Sequence, residues 1–210
     1  MKIAVLANTT LKEELAMQGI KDGTELLWPS DITELSSYAN IHACIDLLFE
    51  NESQRIQQLK NLKADLIFIN SVITTGKALP ENFIRINGWP TFLKRPITET
   101  SIKNEKLKPK AEEAFSFFHK KLEWTPDIPG FITARVIAMI INEAYFTLEE
   151  KVSTKEEIDL AMKMGTNYPY GPFEWSKKIG LKNIYDLLIE LNKTNSRYEP
   201  AALLKKEAFL

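Results

Sequence analysis

This sequence is sparing with the two side chains that ionise nearest neutral pH, cysteine and histidine. There is one cysteine, Cys44, and there are two histidines, His42 and His119. Cys44 falls inside the apolar run Ala43 to Phe49, where a thiol packs as a small hydrophobe and stays inert. Standing alone it can close no internal disulfide, which suits a reducing cytoplasm. His119 flanks an apolar stripe and reads as a rim histidine rather than a ligand, and no metal site is expected. Chemistry is expected instead at a joint in the chain. Pro129-Gly130-Phe131-Ile132-Thr133-Ala134-Arg135 runs on to Asn142-Glu143-Ala144, and the hydrophobic period changes across it. Pro129 resists helix and pushes Ile128 towards extended geometry. A chain that passes from a sheet domain into a helical one through such a hinge usually holds its ligand cleft nearby.

Before the joint, short β-rich runs alternate with helical segments. Lys2 to Ala7 leads into Asn8-Thr9-Thr10, good N-cap residues, and then the helical pattern Leu11 to Met17: strand, tight turn, helix. Further strands are expected over Thr24 to Trp28, Ala43 to Phe49, Asp65 to Asn70 and Phe83 to Ile86, with a helix over Gln54 to Leu62. Asn104 to Leu122 carries Ala111, Ala114, Phe115, Phe118 and Leu122 at helical spacing, one buried stripe. Alternation of this kind predicts a mostly parallel sheet covered on both faces. From Phe131 onward every periodic segment reads as helix. Ser153-Thr154-Lys155-Glu156 is a capping box ahead of Ile158, Ala161 and Met162, with Gly165 as the stop. Phe173 to Ile179, Leu181 to Asn192 and Ala201 to Phe209 complete the set.

A chain of 210 residues can bury a real core, as one large domain or two small ones. Its 27 basic and 28 acidic side chains leave a net charge of -1, which gives no electrostatic footprint for nucleic acid or an anionic membrane. No segment approaches the roughly 20 apolar residues of a membrane span. Met1 to Ala7 reads as a first strand rather than a signal peptide.

One series of residues in the second half carries a family resemblance. Pro129-Gly130-Phe131-Ile132, Arg135, Asn142-Glu143-Ala144, Glu157-Ile158-Asp159, Ala161-Met162-Lys163, Gly165, Tyr168-Pro169, Gly171-Pro172-Phe173-Glu174, Gly180-Leu181, Arg197-Tyr198, Pro200 and Leu203-Leu204-Lys205 follow one another in order. The series resembles the C-terminal domain of the 3-hydroxyacyl-CoA dehydrogenases. The resemblance implies an all-helical domain that mediates a homodimer and closes over an acyl-CoA thioester. With it, the fold class expected is α/β plus all-α: a curtailed Rossmann-like, mostly parallel sheet domain over 1–127 and a helical dimerisation domain over 128–210.

The first half resembles the family less closely. The family's dinucleotide fold opens on G-x-G-x-x-G, whose glycines permit a tight turn and close approach of backbone to pyrophosphate. Here Ala7, Thr9 and Lys12 stand at those positions, each with a side chain where the fingerprint has hydrogen. Thr10 lies in the same helix N-terminus, which in principle still attracts an anion. Asp31 is the candidate for the acidic residue after the second strand, although Pro29 disturbs the register. The family's CoA-gripping helical arm has no room between Trp28 and Ala43. Glu50 stands where the family holds a nicotinamide-side glutamate, and Arg55 where it has a lysine; the alternative is that both simply face water. Asn70-Ser71 resembles the family's substrate-hydroxyl motif, with a plain turn serine as the other reading of Ser71.

The family's chemistry needs a histidine to take the proton of the 3-hydroxyl as hydride leaves for NAD, and a glutamate to orient that imidazole. By resemblance Glu99 is the glutamate, and twelve residues before it stands Asn87. Asparagine can hydrogen-bond a hydroxyl but cannot accept its proton near neutral pH. The family's asparagine in the hinge helix is here Ala134. Base, amide and phosphate cradle are thus all altered. The resemblance implies NAD as cofactor, with binding weakened by the same changes. The expected function is that of a family member with lost or altered activity. The alternatives are an active NAD-dependent 3-hydroxyacyl-CoA oxidoreductase with a rebuilt site, or a purely structural dimerisation or partner-binding protein.

Overall fold

The computed structural model describes residues 1–210, the side chain of Ala78 excepted. The chain divides into two compact units, Met1–Phe131 and Ile132–Leu210.

In the first unit, strands β1 (Lys2–Leu6), β2 (Glu25–Leu27), β3 (Ala43–Asp46), β4 (Leu66–Asn70), β5 (Phe83–Ile86), β6 (Ile97–Ile102) and β7 (Lys121–Trp124) form one sheet in the order β2-β1-β3-β4-β5-β6-β7. Neighbouring strands from β2 to β5 pair parallel, β6 turns antiparallel to β5, and β7 runs parallel to β6. Helices α1 (Thr9–Ala16), α2 (Ile32–Ser37), α3 (Ser53–Asn61) and α4 (Lys108–Ser116) cover it. This is a mostly parallel, Rossmann-like sheet with a helical region after it, as the sequence predicts. The period of two sorts the strand residues. Ile3, Val5, Ile45, Phe68 and Ile84 pack with Leu11 and Leu15 of α1 and Phe115 of α4. Ala4, Leu6, Cys44, Ile67 and Ile69 pack with Ile32 and Leu35 of α2 and Leu59 of α3. Strands covered on both faces need continuous apolar runs, which is what β1, β3 and β4 have.

Several expected elements differ. The single helix over 104–122 is α4 followed by β7. Ala111, Ala114, Phe115 and Phe118 are buried as one stripe, but the chain turns at His119 (φ 51°). The N–H groups of His119 and Lys120 close on Ser116 O and Phe115 O, so Leu122 belongs to a strand. α2 and β6 are additions. α2 is six residues long, too short to show a period, and is capped by Asp31. The helix expected from Phe131 begins at Thr133, because Gly130 (φ 84°) and Phe131 (φ 48°) both take left-handed backbone.

The segment between Asn87 and β6 carries no regular structure and is held by side chains from elsewhere. Thr91 N–H donates to both carboxylate oxygens of buried Glu14 at 2.8 Å, and Gln18 Nε2 donates to Lys94 O at 2.8 Å. Buried Lys120 donates from Nζ to Leu93 O and, at 2.7 Å, to Arg95 O. Burial pulls the Lys120 ammonium from its ordinary 10.5 down to about 8, with Glu14 opposing the shift and Arg95 adding to it. A folded-state value below the unfolded one means that the unfolded chain holds more protons between these two pH values. Stability measured by urea unfolding should therefore rise from about pH 8 towards pH 10.5. Lys120→Met should flatten that rise, and an unchanged slope in this variant would show that the ammonium is not desolvated.

The second unit contains α5 (Thr133–Glu149), α6 (Lys155–Thr166), α7 (Pro172–Ile179), α8 (Leu181–Asn192) and α9 (Ala202–Glu207). Thr154 and Glu157 close a reciprocal capping box on α6. Gly165 lies inside that helix rather than ending it; Asn167 (φ 56°) takes the left-handed stop position, which a short polar side chain tolerates. Asn142 of α5 donates to Glu199 O at 2.8 Å and accepts from Ala201 N at 2.9 Å, pinning the turn before α9. Asp159 of α6 caps α7 by accepting from Phe173 N at 2.8 Å and Glu174 N at 3.1 Å. A Cβ on Gly171 would meet Asp159 atoms at 2.3–2.5 Å, so only glycine fits there.

Candidate functional site

In an open parallel sheet the crevice for a ligand lies at the carboxyl ends of the strands where the strand order reverses. Here the chain steps from β1 outward to β2 and returns to β3 on the far side of β1. A cleft of about 370 Å³ lies at that point, lined by Leu6, Asp31, Leu48, Glu50, Arg55 and their neighbours. Three of the expected cofactor residues, Asp31, Glu50 and Arg55, are thus brought together. Their bonding departs from a cofactor site. Asp31 Oδ1 is taken by Thr33 N at 2.7 Å and Glu34 N at 2.8 Å. Arg55 grips the buried Asp46 carboxylate with two bonds, at 2.7 and 2.9 Å. Burial raises the Asp46 pKa, and the Arg55 bonds pull against that rise. Glu50 is exposed to water.

Ala7, Thr9, Thr10 and Lys12 are not among the described residues lining this cleft. Between β1 and α1 the Asn8 side chain caps the helix, accepting from Leu11 N at 2.9 Å. Thr9 and Thr10 extend from the first turn into solvent, and Lys12 Nζ sits 4.5 Å from the centre of the Trp28 ring. A dinucleotide pyrophosphate needs bare backbone and unspent N–H groups at such a turn. This turn has no glycine and a carboxamide already bonded across it, so its residues do not fit the group.

A second polar cluster occupies the carboxyl ends of β4 and β5. Asn87 follows β5, and its Nδ2 donates to Glu99 Oε2 of β6 at 2.9 Å. Its main-chain N–H donates to Glu99 O, also at 2.9 Å. Asn87 is 1% exposed, and its Oδ1 has no hydrogen-bond partner. Ser71 follows β4 and donates from Oγ to Thr74 O at 2.9 Å. Asn70 joins three strand ends, donating to Leu47 O at 3.2 Å and accepting from Gly88 N at 3.0 Å. A Cβ on Gly88 would stand 2.8 Å from Asn70 Cγ, so the close approach needs glycine.

Beneath this cluster lies an ion pair that the sequence reading missed. Arg85 of β5 is 1% exposed and pairs with Asp127. Its guanidinium donates to Ser71 O at 2.9 Å and Val72 O at 3.2 Å, and stands 4.7 Å from the centre of the Phe131 ring. Asp127 also accepts from Gly76 N at 2.9 Å, and Gly130 N donates to Val72 O at 2.8 Å. The loop after β4 and the chain after β7 are thereby tied together. The available signal was a charged residue inside the apolar strand Phe83-Ile84-Arg85-Ile86, two positions before Asn87 and so on its face of the sheet. Ala134 lies in α5 of the helical unit, fully buried and without a polar group to offer. Among the described residues no cluster of His, Cys, Asp and Glu could hold a metal ion, and no helix is long and apolar enough to cross a membrane.

The family model "3-hydroxyacyl-CoA dehydrogenase, C-terminal domain" matches residues 130–208. The chain is 43% identical over 86 residues to 3-hydroxyadipyl-CoA dehydrogenase of Escherichia coli, covering 40% of this chain and 18% of that protein. It is 39% identical over 89 residues to 3-hydroxybutyryl-CoA dehydrogenase of Bradyrhizobium diazoefficiens, covering 41% of this chain and 30% of that protein. The matched stretch thus spans less than a third of either relative. The fold is similar to that of (S)-3-hydroxybutyryl-CoA dehydrogenase of Ralstonia eutropha, with a TM-score of 0.74, 18% identity, and 98% of this chain and 92% of that one covered. Residues 130–208 of this chain thus match the C-terminal domain of the 3-hydroxyacyl-CoA dehydrogenases.

Proposed function

We propose that the protein keeps the family scaffold to bind an acyl-CoA or related thioester and lacks the family's NAD-dependent oxidation of 3-hydroxyacyl-CoA. The observation that carries this is the Asn87–Glu99 hydrogen bond of 2.9 Å. Glu99 has the partner it would give an imidazole, but that partner is a carboxamide with no basic nitrogen. Ala134 in place of an amide, and the capped turn at Asn8 to Lys12, point the same way. On this reading 1–127 is a degenerate NAD-binding-type domain, and Ser71, Asn87, Glu99 and Ala134 hold the altered catalytic positions. Ala7, Thr9, Thr10, Lys12, Asp31, Glu50 and Arg55 mark a cofactor site that no longer grips NAD. Residues 128–210 form a homodimer, for which the exposed Ile132, Val136, Leu160 and Met164 supply apolar surface. The lone buried thiol of Cys44 is in keeping with a cytoplasmic protein.

A titration with NADH followed by its fluorescence, with light scattering on the same sample, tests this reading. No saturable NADH binding in the micromolar range and a dimeric mass are expected. Micromolar affinity would mean that the turn has been rebuilt for the cofactor, and a monomer would remove the dimer from the proposal.

A further inference from the structure

The sheet ends at β7, and among the described residues no strand pairs with the outer edge of β7. Lys121 N donates to Pro96 O and Thr125 N to Thr100 O, both at 2.8 Å, so these N–H groups face β6. Across each planar trans peptide the carbonyl points the other way, which turns the C=O groups of Lys120 and Trp124 outward. The alternation along a strand turns the N–H and C=O of Leu122 and the N–H of Trp124 outward as well. Side chains alternate between the faces. Leu122 and Trp124 pack against the cluster that holds α4, while Lys121 and Glu123 are exposed on the opposite face. Among the described residues neither Lys121 nor Glu123 has an ion-pair partner.

We propose that this edge pairs antiparallel with the same edge of a second copy of the chain, Leu122 opposite Leu122. The two Leu122 residues then exchange N–H···O bonds, and each Trp124 N–H reaches Lys120 O of the other copy. Lys121 of each copy faces Glu123 of the other, at the closely spaced positions where opposite charges across strands attract. A slip of one residue would set Lys121 against Trp124 and leave both charges without a partner. A slip of two would oppose Glu123 to Glu123, or Lys121 to Lys121. The charges thus admit a single register. Charge of one sign on an exposed edge repels a second copy; one charge of each sign, two residues apart, attracts it. This surface is separate from the apolar residues offered above for a dimer of the helical half. Its few main-chain bonds and ion pairs make a small interface, of the class that forms weakly and reversibly.

Sedimentation velocity of the full chain from about 1 μM to about 1 mM covers the affinities open to such a contact. The weight-average mass should rise with concentration to about double its micromolar value or beyond. Lys121→Glu sets carboxylate against carboxylate, and Glu123→Lys sets ammonium against ammonium, so each variant alone should keep its micromolar mass. Mixed in equal amounts the two variants should associate again, because every opposed pair is then of unlike sign. A flat mass for the wild-type chain would overturn the pairing. So would a rise that both variants retain, or a mixture of them that stays apart.

Discussion

Mixed with NAD and a 3-hydroxyacyl-CoA, the protein is expected to release NADH at least about 10²–10⁴-fold more slowly than a relative with imidazole in the Asn87 position, the range a positioned general base contributes. The expected loss is chemical rather than architectural. Asn87 sits where its amide meets Glu99 at 2.9 Å, and β5 and β6 hold the two residues in register through the Asn87 N–H. Asn87→His would set an imidazole beside that carboxylate, and Ala134→Asn would return an amide to α5. Groups that act as a unit are not additive, so each change alone should do little. The pair together still depends on a cofactor that the Asn8–Thr10 turn does not fit. Absorbance of NADH at saturating substrate measures the rate. Brisk turnover by the unmodified chain would mean that the base has been misassigned, and exposed His119 is then the first residue to replace.

Asp127→Ala is expected to be the most damaging single substitution outside the apolar core, costing about 3–5 kcal/mol as befits breaking a buried ion pair from one side. Arg85 is only 1% exposed, while the Asp127 side chain is 26% exposed, so the stranded guanidinium is open to water only from the side the carboxylate leaves. Gly76 N loses its acceptor in the same step. Replacing both partners, Arg85→Leu with Asp127→Ala, should cost clearly less than the sum of the single changes, because no charge is then stranded. Urea midpoints of the three variants give the answer. A loss under about 1 kcal/mol for Asp127→Ala would class the pair with exposed ones.

How far the sequence reveals this architecture depends on what each residue's signal is made of. β1, β3 and β4 are legible because burial on both faces demands unbroken apolar runs. β6 is not: Thr98, Glu99, Thr100 and Ser101 are all buried, yet they read as a polar loop. Their burial becomes sensible only beside Asn87 and Asp127, which bond Glu99 and Ser101. The end of α4 is hidden for a different reason, since His119 in left-handed backbone breaks a stripe that the apolar spacing alone would continue. The helical half is legible through resemblance, and the structure assigns several of its residues structural work. Asn142, Asp159 and Gly171 hold turns and helix ends in place within that unit. The Arg85–Asp127 pair spans 42 positions, and no local pattern links a lone arginine in a strand to a distant aspartate.

The carboxamide of Asn70 has a bearing on the order in which the sheet assembles. Its two bonds reach Leu47 after β3 and Gly88 after β5, groups that meet only once β4 is seated between its neighbours. Such bonds are expected to close late in folding, a point that unfolding and refolding rates of Asn70→Ala would check. They therefore act on the lifetime of the native state: weakening them hastens unfolding and leaves the folding rate nearly untouched.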